Sequence, residues 1–138
     1  IDLEEPEKFI REAAKRNNIV QLAFDPYQLA SITQKLVKDG VVWCEPFNQI
    51  GDRMRADSQL YDLIVGRRIH YSHDEGCPGG SACYCMMMSM RQHIANANAK
   101  MQTNEDSKLR IVKKANGAKI DLAVSLSMAA ARCLYLRL

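Results

Sequence analysis

The chain has no apolar stretch near the roughly 18 consecutive residues that a membrane-spanning helix needs, and its start does not resemble a signal peptide. Both absences predict an intracellular protein with no membrane association. Paired C-x-x-C motifs are also missing: Cys44, Cys77, Cys83, Cys85 and Cys133 are odd in number and scattered. This argues against a disulfide framework and against a paired-cysteine zinc module. No G-x-x-x-x-G-K-[ST] loop occurs, so an ATPase phosphate cradle is not encoded in these residues. There is no internal repeat, and low complexity is confined to the methionine-rich "CMMMSM".

What is present fits one ordinary globular domain. The 138 residues suffice for a single core but not two, and 47% apolar with 25% charged residues is a typical balance. A net charge of +3 is compatible with a polyanionic partner without requiring one.

The stretch "IVQLAFDPYQLA", residues 19–30, raises the first functional question. Its apolar half, 19–24, reads as a buried strand, and Asp25 stands at the carboxyl end. In α/β proteins, ligand-binding groups gather beyond such strand tips. Around this strand, "EEPEKFIREAAKRNN" predicts a helix, with Pro6 at the first helical position, Glu4, Glu5 and Glu7 complementing the dipole, and Phe9, Ile10, Ala13 and Ala14 on one face. A second helix runs from about Tyr27 to Gly40, carrying Leu29, Ile32, Leu36 and Val37. "VVWCE" reads as a second buried strand, ended by Pro46, with Trp43 and Cys44 in the core.

From Gly51 to Gly66, the spacing of Met54, Leu60, Tyr61, Ile64 and Val65 marks a third helix, and "RRIHY" suits a short edge strand. Arg53, Arg55, Arg67 and Arg68 read as solvated surface. "SHDEGCPGGSACYC" has the glycine content of a loop. Met90, Ile94, Ala97 and Met101 then fall on one helical stripe, and "LRIVK" is a strand. The last element, "AKIDLAVSLSMAAARCLYL", predicts a core helix packed on a sheet, with Asp121 in its first turn and Cys133 inside it. Alternating helices and strands place the chain in the α/β class.

Asp25 and Asp121 stand out by position. Each has a plain role on its own, Asp25 as a turn-former before Pro26 and Asp121 as a dipole-favoured helix opener. Should the two converge, their repulsion and desolvation are relieved by a divalent cation, which can also activate water for phosphodiester hydrolysis.

Taken together, "FDPYQLASITQKLVKDGV", "RRIHYSHDE", "MRQHIANANAK", "LRIVKK" and "AKIDLAVSLSMAAAR" resemble the carboxyl-terminal nuclease domain of tailed-phage terminase large subunits. The likeness spans nearly the whole chain as a single domain, 1–138, and lies in the order and spacing of individually short motifs. It implies an RNase H-like fold, a mixed sheet flanked by helices, and a metal-dependent endonuclease that cuts concatemeric viral DNA in the bacterial cytoplasm. It further implies two Mg²⁺ or Mn²⁺ ions held by an acidic cluster, with Asp25 matching the second acid and Asp121 the last. The partners it implies are double-stranded DNA, an ATPase domain, a small terminase subunit and a portal. The first acid of the cluster has no match, since "IDLEEP" is not its strand, so the expected domain is incomplete at its amino-terminal side.

Residues 76–89, "GCPGGSACYCMMMS", depart from that family as an atypical loop or insertion. Their cysteines, with His70 and His73, have ligand chemistry for zinc, and the methionines for Cu(I); a surface loop with free thiols is the alternative. Arg110, Lys113, Lys114 and Lys119 cluster before Asp121, either as phosphate contacts or as a solvated basic edge. His70, His73 and His93 could serve as general bases, although a metal-bound hydroxide makes none of them necessary. Two other functions stay open: an inactive RNase H-like module that binds DNA or a packaging partner, and a small Cys/His/Met metal-binding protein.

Overall fold

The structure, a computed structural model, describes residues 3–70, 86–101 and 109–138. Among the described residues the fold is mixed α/β, with five helices and two small sheets. The chain divides into two compact units, Ile1–Gln49 and Ile50–Leu138. Among the described residues no helix is long and apolar enough to cross a membrane.

The first unit is a helix followed by a β-α-β motif: α1 (Glu4–Arg16), β1 (Leu22–Phe24), α2 (Pro26–Lys38) and β2 (Cys44–Pro46). β1 and β2 pair in parallel, Leu22 beside Cys44 and Phe24 beside Pro46. The connection between parallel strands needs a crossover, which α2 supplies. Its helix ends at Gly40, where φ is +64°, a conformation that glycine adopts without strain. The N–H groups of Gly40 and Val41 there donate to Val37 O and Leu36 O, closing the last turn. Ile32, Leu36 and Val42 are buried, and Ile10, Ile19, Leu22 and Leu29 pack around them.

Charges hold α1 over α2. Arg11 donates to Glu7 one turn away and, at 2.6 Å, to Asp39 at the end of α2. The Arg11 guanidinium draws the Glu7 carboxyl below its ordinary 4.5, and Asp39, with Glu7, raises Arg11 in turn. Glu7 and Arg11 are partly open to solvent and Asp39 is exposed, so these pairs orient the helices more than they stabilise them.

The second unit comprises α3 (Gly51–Val65), α4 (Met86–Ala95), β3 (Ala97–Met101), β4 (Leu109–Lys113) and α5 (Asp121–Leu136). β3 and β4 are antiparallel, with Asn98 opposite Val112 and Lys100 opposite Arg110. α3 packs against both β4 and α5, and α4 against α5. The buried apolar residues are Ala56, Leu60, Leu63, Leu109, Ile120, Ala123 and Met128. Between them lies a fully buried carboxylate, Asp57.

Asp57 is satisfied from three elements. Arg53 Nε donates to both its oxygens at 2.9 and 3.0 Å, Ser127 Oγ donates at 2.6 Å from α5, and Ile111 N–H donates at 2.9 Å from β4. Arg53 Nη2 returns a donor to Ile111 O at 3.5 Å, and Ser58 Oγ accepts the N–H of Leu109 at 3.1 Å. Side chains of α3 thereby serve the edge of β4 that faces away from β3, as a third strand would.

Several expectations are corrected. Arg53, read as solvated surface, is 7% exposed and belongs to the Asp57 cluster. The buried face of α3 is Arg53, Ala56, Asp57, Leu60 and Leu63, whereas Tyr61, Ile64 and Val65 are exposed. Trp43 is 66% exposed, because Val42 turns inward and alternation sends its neighbour out; the segment buries one face, not two. Phe9 is exposed, and so is Cys133 on α5.

The stripe through Met90, Ile94, Ala97 and Met101 is not one helix. It breaks at Asn96, and 97–101 pairs with β4, an alternating "ANANA" run answering a strand partner rather than a helical period. Residues 67–70 of "RRIHY" form no strand. α5 packs chiefly on α3 and α4 rather than across a sheet. His73 and Cys77, Cys83 and Cys85 lie outside the described residues, whereas 86–89, expected as the end of an atypical loop, open helix α4.

Removing the Asp57 carboxylate leaves Arg53 buried without its counter-charge. Asp57→Ala is expected to lower unfolding free energy by about 3–5 kcal/mol in urea titration. The double change Arg53→Met, Asp57→Leu removes the unpaired charge but leaves the Ile111 N–H without its acceptor, so it should recover only part of that loss, and a single-mutant loss below about 1 kcal/mol would contradict a buried pair.

Candidate functional site

Asp25 follows β1 in extended conformation, φ −79° and ψ 114°, and is the N-cap of α2. Its Oδ1 accepts the Tyr27 N–H at 3.0 Å, and Pro26 takes the first helical position, where a missing N–H loses nothing. The turn-former role is therefore real. The cap uses one carboxylate oxygen, Oδ1. The strand register sets Glu45 of β2 beside Ala23, two residues before Asp25 and so on the same pleat face. Glu45 is an acid that the sequence reading passed over, because only strand pairing brings it to this sheet tip. Cys44, its neighbour, has its thiol pushed up by burial and is thus a poor nucleophile.

Asp121 is exposed and opens α5, in the second unit. The residue before it, Ile120, is the N-cap and has no side-chain acceptor to offer. That duty falls to another helix: Nδ1 of His93 accepts the Leu122 N–H at 3.0 Å. Asn96 Nδ2 donates to Lys119 O at 3.1 Å, and Lys114 N–H donates to Asn96 O at 2.9 Å. Residues 93–96 thus grip the segment that joins β4 to α5 at both ends.

The four basic residues are placed unequally. Arg110 and Lys113 are on β4, Arg110 directly opposite Lys100 of β3. Lys114 lies just after β4, and its ammonium donates to Ala95 O at 2.7 Å, a cation on the carboxyl end of α4. Lys119 is exposed two residues before Asp121. On the face of this sheet opposite Arg110 and Lys100, a cleft of about 310 Å³ is lined by Leu60, Tyr61, Ile64, Ile94 and Ile111, and by Lys114. Its walls are apolar because the strand positions there are alanines, Ala97 and Ala99, too small to fill the space to α3.

Among the described residues no group of three His, Cys, Asp or Glu side chains is gathered in a metal-binding arrangement. The chemistry of Asp25 and Asp121 nonetheless fits a hard divalent cation. Mg²⁺ keeps several of its waters and is commonly held by one or two carboxylates together with substrate phosphates. No protein-family model, curated protein or solved structure matches the chain.

The capping role of Asp25 can be separated from any ligand role. Asp25→Ala should lower thermodynamic stability by about 1 kcal/mol, while Asp25→Asn, which keeps an acceptor for Tyr27 N–H, should stay within a few tenths. Equal losses in the two variants on urea denaturation would contradict the cap.

Proposed function

We propose that this chain is a nuclease domain of a phage terminase large subunit, a Mg²⁺- or Mn²⁺-dependent endonuclease acting on concatemeric double-stranded DNA. One observation carries the reading: the two acids singled out by the motif resemblance each stand at the opening of a helix, Asp25 also at a strand tip and Asp121 just after a basic segment. The fold that accompanies this reading is RNase H-like, a mixed sheet flanked by helices.

When bound, the divalent ions supply positive charge that lowers the pKa of an attacking water and stabilises the leaving oxygen. The chain's own part is to hold them and the substrate. Asp25 offers the oxygen not used in capping, and Asp121 offers an exposed carboxylate in the first turn of α5. Arg110, Lys113 and Lys119 neutralise backbone phosphates, contacts that carry no sequence preference and weaken with salt. Lys114 is the least available of the four, since one of its donors is committed to Ala95 O. In this reading the full protein also carries an ATPase domain, meets a small terminase subunit and a portal, and works in the bacterial cytoplasm.

A non-catalytic DNA-binding module is the second reading. It is favoured by Lys100 and Arg110, which sit directly opposite on adjacent strands. Like charges so placed repel, and a phosphate between them removes the penalty.

Relaxation and linearisation of supercoiled plasmid in Mn²⁺ decide between the two. The parent should cleave, and Asp25→Asn and Asp121→Asn should each cleave about 100-fold more slowly, as expected when an ion providing several kcal/mol of stabilisation loses a ligand. Undiminished cleavage by either variant contradicts the nuclease reading; salt-sensitive DNA binding by a parent that never cleaves supports the second.

A further inference from the structure

Helix α5 begins without a cap of its own. Ser, Thr, Asp or Asn normally accepts a first-turn N–H from the N-cap position, and Ile120 has no atom that can do so. The acceptor comes instead from 29 residues earlier in the chain, where His93 Nδ1 takes the Leu122 N–H at 3.0 Å. His93 is half-buried near the end of α4.

The same corner holds the other side of Asp121. Asn96, directly after α4, donates from Nδ2 to Lys119 O at 3.1 Å and accepts the Lys114 N–H at its own carbonyl at 2.9 Å. Lys114 Nζ closes the clasp on Ala95 O at 2.7 Å. Asp121 thus lies between Lys119 and Leu122, two residues whose backbones are both tied to one short segment. Its carboxylate is exposed while its backbone is fixed, the combination a ligand-bearing residue requires.

We propose that His93 is a positioning residue for Asp121: its imidazole replaces the missing helix cap and fixes where the Asp121 carboxylate points, with Asn96 securing the approach to it. This rests on the nuclease reading for its catalytic consequence, though not for the cap. The role differs from that of a general base, because Nδ1 is occupied by the Leu122 N–H and takes no proton from substrate. It also accounts for the spacing of "RQHIANA", in which one turn of chain separates the histidine that holds Leu122 from the asparagine that holds Lys119.

The test compares His93→Leu, which has no acceptor, with His93→Asn, whose carbonyl can take the Leu122 N–H. Amide hydrogen exchange on the full chain reads the cap, and Mn²⁺-dependent plasmid cleavage, with kcat and KM separated, reads its consequence. Leu122 exchange is expected to rise about tenfold in His93→Leu and to return in His93→Asn. The kcat should fall about tenfold in His93→Leu with KM for DNA unchanged, and recover in His93→Asn. Unchanged Leu122 exchange in His93→Leu overturns the cap, and lost protection with an unchanged kcat overturns the positioning role. A parent that does not cleave overturns the nuclease reading and the catalytic consequence, while the exchange result still decides the cap. If His93→Leu fails to fold, Asn96→Ala, which frees only Lys119 O, should show the same fall in kcat, and an unchanged kcat there counts against the clasp.

Discussion

The second unit depends on one buried carboxylate. Asp57 sits on α3 with no solvent contact, and a bare charge there would cost several kcal/mol. It is tolerated because Arg53 neutralises it from one turn earlier and because Ser127 and the Ile111 N–H fill its remaining acceptor sites. Each of those partners belongs to a different element, so satisfying the charge brings α3, β4 and α5 into one arrangement. A leucine at this position could pack, but it could not accept the N–H of a strand edge.

That arrangement reaches the candidate site through α5. The middle of the helix is tied to α3 by Ser127, and its start is tied to α4 by His93. Asp121 and the basic residues before it are therefore carried on backbone held at two places, while their side chains face solvent. In the first unit the logic is simpler: a short parallel strand pair ends, Asp25 caps the next helix, and the strand register brings Glu45 to the same tip. In both units a carboxylate serves the local structure without being consumed by it.

The sequence made some of this legible and hid the rest for physical reasons. Local signals worked where one element decides its own form. Asp25 followed by proline marked a helix start, Gly40 and Gly66 marked helix ends, and "LRIVK" with its β-branched centre marked β4. Signals failed where a partner decides. Arg53 and Asp57 look like any exposed i, i+4 ion pair, and only packing by β4 and α5 buries them. "ANANAKM" fits a helical stripe until β4 is there to pair with it, and Trp43 reads as core until one sees that only one face of its strand is covered. His93 as a cap for a helix 29 residues away leaves no local trace beyond an uncapped Ile120. The candidate acids and the turn role of Asp25 were read from sequence; the distant side chains that hold the start of α5 were not legible there.

The proposed nuclease reading makes Asp25 and Asp121 each a ligand of a divalent cation. Titration of the isotope-labelled chain with Mn²⁺, followed by paramagnetic broadening of backbone amides, tests it most directly. The account predicts saturable broadening of the amides around Phe24 to Tyr27 and of those around Asp121 to Leu122, lost in Asp25→Asn and Asp121→Asn respectively. Undisturbed amides at either place would contradict it.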